Sequence, residues 1–242
     1  MKINYKLLSS KNYPIYFFIF FIFIGSLIYR DYGISVDEPQ QREIGKTSLN
    51  YIAHLFKIPE FIDPQNRHIK AEDVFQGQKD RDYGVAFELP VEFLVKILGI
   101  QDEKIYYFRH YINFILFGIC LIFFYKILFF RYQDSSIALL GTLFLIVSPR
   151  IFGDAFHNTK DLAFLSFVVI ASYTLIRYIF QPNTLNCIWH SIATACAVDL
   201  RIMGIILIGL TTAGLILQLN AKSKNLSLIF TKLISYLTLT CI

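Results

Sequence analysis

Residues 148–161 read SPRIFGDAFHNTKD, and their setting decides the fold. An apolar run at 136–147 leads into them and a longer one at 162–179 leads away, the pattern of helices entering and leaving a membrane. A turn between two such runs needs only a little polarity. This one carries Arg150, Asp154, His157, Asn158, Lys160 and Asp161 together, with Phe152 and Phe156 placed to wedge against a bilayer surface. A second acidic spot, Asp37-Glu38, follows the first apolar run at 14–29. Counting spans puts both spots on the same side of the membrane.

Working outward, the composition agrees. The chain has 242 residues, of which 55% are hydrophobic and 24 are Phe, with a mean hydropathy of +0.50. That is too apolar for one soluble domain and predicts a polytopic, all-α membrane helix bundle. The net charge of +5 is scattered over span ends and one loop, so nucleic acid is not an expected partner. Cys120, Cys187, Cys196 and Cys241 lie in or beside apolar runs and offer neither a disulfide framework nor a metal site.

Lys2, Lys6 and Lys11 precede the first run, and no small-x-small cleavage site follows it, so it reads as an uncleaved anchor with a cytoplasmic N-terminus. Residues 30–104 then form a large extracytoplasmic first loop. Within it, Leu49, Ile52, Ala53 and Phe56 keep helical spacing, as do Val91, Leu94, Val95 and Leu98. Both stripes are too short to span and predict helices lying in the interface plane, the second opened by Pro90 and closed by Gly99. Residues 60–84 are expected to be a loop. Asp102 is placed as the N-cap of the second span, which carries Arg109 and His110 at its outer end. The apolar region 187–219 is too long for one span and should break at Asp199–Arg201. The run 226–242 closes the sequence.

Asp37 and Glu38 are candidate proton acceptors: a carboxylate within ~3 Å of a hydroxyl or amine can deprotonate it. The plainer alternative is solvated loop charge. No DxD motif is present, and a metal site would have to recruit Asp161 or a histidine from afar, so no cofactor is expected and no divalent metal is indicated. Asn158 or Asp161 would serve equally as the N-cap of the fourth span. Arg201 has the fork geometry to hold a lipid phosphate, or it simply pairs with Asp199.

The order of these pieces resembles the GT-C superfamily of polyprenyl-phosphate-sugar-dependent glycosyltransferases, in the branch of protein O-mannosyltransferases and the lipid A aminoarabinose transferase. The resemblance rests on the basic N-terminus, the single span followed by Asp37-Glu38, the large first loop with interfacial helices, Pro149, and Asn158 and Asp161 opening the fourth span. It implies inverting transfer of a sugar from a polyprenyl-phosphate donor to a lipid, glycan or protein acceptor outside the cytoplasm, by a multi-pass integral protein of a bacterial plasma membrane. Carried over, Asp37 matches the general base, Glu38 its acidic neighbour, and Asp161 the second acid that orients the acceptor. Arg201 stands where a basic residue would hold the donor phosphate, and Arg150, His157, Asn158 and Lys160 would line the substrate site. Relatives carry more spans and often a soluble domain, so residues 1–242 are expected to be the N-terminal part of such a module, with little turnover of their own.

Two other classes stay open. A lipid or sugar transporter, or a flippase, would place charges along a mid-membrane pathway. A non-catalytic, degenerate transferase would keep the fold without the chemistry.

Overall fold

The computed structural model describes residues 12–66, 68–75, 83–222 and 226–241, leaving out the side chains of 66 and 218–229. Lys2, Lys6, Lys11 and Lys224, which bear on sidedness, lie outside the described residues.

Every regular element described is helical: α1 (Tyr13–Ile28), α2 (Glu38–Leu55), α3 (Glu88–Leu98), α4 (Lys104–Tyr132), α5 (Ser135–Ile146), α6 (Pro149–His157), α7 (Asp161–Phe180), α8 (Thr184–Leu200), α9 (Ile205–Lys222) and α10 (Leu226–Cys241). Between α2 and α3 run short 3-10 turns at Pro64–Asn66 and Ala71–Asp73, within the stretch expected to be a loop. Helices α4 and α7 are long and apolar enough to cross a membrane, and α5 with α6 makes a third candidate, bent by 70° at their junction.

Helix α4 organises the rest, packing against α1, α5, α6 and α7 along its length and against α3 near its start. At 29 residues it extends roughly 43 Å, well beyond a ~30 Å hydrocarbon core. Its first turns, with Arg109 and His110, can therefore stand at headgroup depth. The central cluster joins Phe21 of α1, Phe114, Phe117 and Leu121 of α4, Phe156 of α6 and Leu162 of α7. Gly25 of α1 lies directly against the Phe114 ring, so a methyl group there would push the two helices apart. In lipid such ring packing works by close contact rather than by exclusion of water. A second group of helices, α8, α9 and α10, packs beside α7.

Contacts sort the helix ends into two sets. Tyr13 meets Ser136 and Phe130 meets Phe180 at one end. Tyr29 meets Tyr111, Tyr32 meets Phe156 and Arg201 meets Asp161 at the other. The end of α1, the starts of α4 and α7 and the end of α8 thus gather together, which is the grouping that the order of apolar runs predicts.

Three local expectations are corrected. Residues 148–161 are not an open turn: most of them form α6, begun by Pro149 at a position where a missing N–H costs nothing. Asp102 does not cap α4; it takes a left-handed backbone (φ 56), and the helix begins two residues later. On α3 the buried face is Glu88, Val91, Glu92 and Val95, while Leu94 and Leu98 are exposed. The stripe read as one apolar face is split because two carboxylates take the inner positions. The stop at Gly99 holds, with φ 63 in the left-handed region that glycine enters without strain.

Candidate functional site

The gathered end is built on α4. Arg109 is fully buried, and so are His110 and Asn113 one turn on. A charge there must find a partner, because desolvating it alone costs several kcal/mol. Arg109 Nη2 donates to Glu88 Oε2 at 2.6 Å and Nη1 to Glu92 Oε1 at 3.3 Å. Arg42 of α2 donates from Nε to the same Glu92 oxygen at 3.1 Å. Glu88 Oε1 accepts from the Thr159 hydroxyl at 2.5 Å, which ties α3 to the chain just ahead of α7. Gly45 of α2 allows this closeness: a Cβ there would meet the Glu88 carbonyl oxygen at 2.8 Å. Burial drives the Glu92 carboxyl above the ordinary carboxylate value. The Arg42 and Arg109 guanidinium groups pull it back only in part, and Glu88 adds to the rise.

Glu38 is 1% exposed. One oxygen lies 2.8 Å from His110 Nε2, and the other accepts the Ser35 N–H at 2.7 Å, which fastens the chain ahead of α2 to its first residue. Its neighbour Asp37 sits at the N-cap position of α2 and is exposed. So the two acids of the motif differ in kind: Glu38 anchors the loop, and Asp37 is presented to the surroundings.

On the other flank, Asn113 Nδ2 donates to the carbonyls of Asp154 and Ala155 at 3.3 and 3.1 Å, holding the last turn of α6 on α4. Tyr32, five residues before Asp37, stacks on Phe156 at 4.1 Å, and Phe156 stacks on Phe114 at 5.0 Å. Asn158 Oδ1 accepts the Asp161 N–H at 2.8 Å, so Asn158 does the capping work at the start of α7. That leaves the exposed Asp161 carboxylate to pair with Arg201 from the end of α8. Arg201 does not pair with Asp199, whose carboxylate instead accepts the Ala86 N–H at 2.7 Å. Gly84 is pressed against the Asp199 backbone, where no side chain would fit.

Of the residues read from the sequence, Asn158, Asp161 and Arg201 meet at one corner. Arg150 and His157 both face Asp154, at 3.9 and 3.6 Å. Lys160 lies over the Tyr83 ring, 3.4 Å from its centroid. Asp37 touches none of these, but it is joined to them by a chain of contacts: Glu38 to His110, Arg109 to Glu88, Glu88 to Thr159. No group of His, Cys, Asp and Glu among the described residues could hold a metal ion.

The sequence reading missed Arg42, Glu88, Glu92, Asn113 and Thr159, and left Arg109 and His110 as mere end markers. A signal was available. An Arg-His pair at the start of an apolar span demands carboxylates, and Glu88 and Glu92 lie four apart on one helical face. Comparison with protein-family models, with curated proteins and with solved structures yields no match to this chain.

Proposed function

We propose that this chain is a multi-pass membrane glycosyltransferase of the GT-C type, moving a sugar from a polyprenyl-phosphate donor to an acceptor outside the cytoplasm. The observation that carries this reading is the buried bridge Glu38–His110/Arg109–Glu88–Thr159, which ties the first-loop acids to the Asn158–Asp161–Arg201 corner. A transferase needs a base, an orienting acid and a cation for the leaving phosphate in one place, held to within ~1 Å. Asp37 takes the proton of the acceptor hydroxyl or amine as that atom attacks the anomeric carbon. The bond from that carbon to the phosphate oxygen breaks, and the electron pair leaves with the polyprenyl phosphate. Arg201 stabilises the charge that develops there, passing from Asp161 to the phosphate as donor binds. Asp161 then faces the acceptor. Glu38 acts through its hold on the loop, while Lys160, His157 and Arg150 supply further polar contacts around the corner.

The transporter reading asks for charge along the middle of the bundle, whereas the described ion pairs that are buried all sit at this one end. The test is sugar release from polyprenyl-phosphate hexose or pentose by membranes containing the protein as its cell makes it. Asp37→Asn should lower the rate by ~10²–10⁴-fold, the usual share of a general base, with the protein equally abundant. Unchanged transfer in that variant would remove Asp37 from the chemistry.

A further inference from the structure

We infer that a cleft between the end of α1 and the start of α4 is a binding site for the headgroup of an anionic phospholipid of the surrounding bilayer. The cleft measures about 400 Å³ and is lined by Tyr29, Arg30, Ile100, Lys104, Tyr107 and Tyr111, with Phe108 behind them. That volume is in the range of small-molecule sites. Lys104, Tyr107, Phe108 and Tyr111 follow each other at helical spacing, so they share one face of α4. Arg109 and Asn113, which hold the buried network, point away from it. The cleft is therefore separate from the candidate active site, although it stands at the same level along α4.

Its chemistry is specific. Arg30 and Lys104 are both exposed, and neither forms an ion pair with a described residue. No carboxylate among the described residues lines the cleft; Asp31, Asp102 and Glu103 are near it in sequence but are not among its lining residues. Arg30 donates from Nε to the Tyr29 hydroxyl at 2.8 Å, and the Tyr29 ring packs on Tyr111 with centroids 5.2 Å apart. One edge of the guanidinium is thereby fixed, leaving its two terminal amino groups to face a phosphate. Tyrosines at this depth suit the water–lipid boundary, with rings against acyl chain and hydroxyls against headgroup. Two uncompensated cations over aromatic walls complement a phosphate on an apolar tail. The bulk lipid is favoured over the sugar donor because the described residues that line the cleft come from the end of α1, Ile100 and the start of α4, and none of them belongs to the Asp161–Arg201 corner. This inference rests on α4 crossing a bilayer and not on the transferase reading.

The experiment is native mass spectrometry of the full chain, released from detergent in the presence of phosphatidylglycerol or phosphatidylcholine. Wild type should retain the anionic lipid preferentially, and each of Arg30→Gln and Lys104→Gln should weaken that preference by about fivefold. Lys96→Gln, an exposed lysine outside the cleft, should leave it unchanged. Lys104→Arg should restore it, and an unshifted melting temperature shows that the variants are folded. Equal retention of the two lipids, or an equal loss in Lys96→Gln, would overturn the proposal. So would displacement of phosphatidylglycerol by an equimolar polyprenyl phosphate, which would hand the cleft to the sugar donor.

Discussion

Two buried polar clusters among the described residues are built differently. At the start of α4, Glu38, Glu88 and Glu92 meet Arg42, Arg109 and His110, all charged or chargeable. Between α7, α8, α9 and α10, His190 lies between the hydroxyls of Thr174 at 3.1 Å and Thr211 at 2.8 Å and stacks on Tyr236 at 4.9 Å. The Tyr236 hydroxyl in turn donates to Thr194 at 3.2 Å. In this second cluster each ring nitrogen and hydroxyl has a partner. In the first, Arg109 Nε, His110 Nδ1 and Asn113 Oδ1 are buried without one among the described residues. A cluster whose groups are all satisfied is a device for fastening helices in lipid. A charged cluster left incomplete is a costly way to hold a fold and a common mark of a functional site.

That contrast can be broken at its strongest point first. Arg109→Ala would leave Glu88 and Glu92 buried without their shared cation, at a cost of about 3–5 kcal/mol. In detergent the variant should melt far below wild type or fail to run as a single species on size exclusion. A melting point near wild type would show that the network is hydrated and contributes little.

A change in pH sharpens the comparison without removing a partner. The Glu92 carboxyl is raised in the fold, so its favourable contribution is complete below the ordinary carboxylate value and is lost as pH rises through the raised value. Wild type should therefore lose melting temperature relative to Glu92→Gln as pH rises above the ordinary carboxylate range. A constant gap between the two over that rise would mean that the guanidinium groups fully compensate the burial.

The smallest effect belongs to the neutral cluster. Thr211→Val removes one interhelical hydrogen bond to His190 and should cost only about 0.6 kcal/mol, the average for such bonds within membranes. A loss as large as that of Arg109→Ala would erase the distinction between the clusters.

Much of this arrangement was legible in the chain. Apolar run length gave α4 and α7, Gly99 gave a helix stop, and Asn158 could be read as a cap because its amide oxygen reaches the N–H three residues on. What escaped was which face of an amphipathic helix turns inward. On α3, Glu88 and Glu92 go in with Val91 and Val95, because Arg109 waits there, and no local pattern on α3 reveals a cation 17 and 21 residues away. Pairing of Arg201 followed the same logic. Asp199 is nearer in sequence, but the Ala86 N–H engages it, and Asp161 takes the guanidinium.

The central claim is that the first-loop acid and the α7 acid serve one site, and a cysteine pair tests it directly. Asp37→Cys with Asp161→Cys, introduced into the full-length protein in its membrane, is treated with a short bifunctional thiol reagent that spans roughly two side-chain lengths. The account predicts efficient linkage for this pair and none for Asp37→Cys with Gln133→Cys, whose second position ends α4 at the far side of the molecule. Failure of the 37–161 pair to link, with helical content intact, would contradict a shared active site.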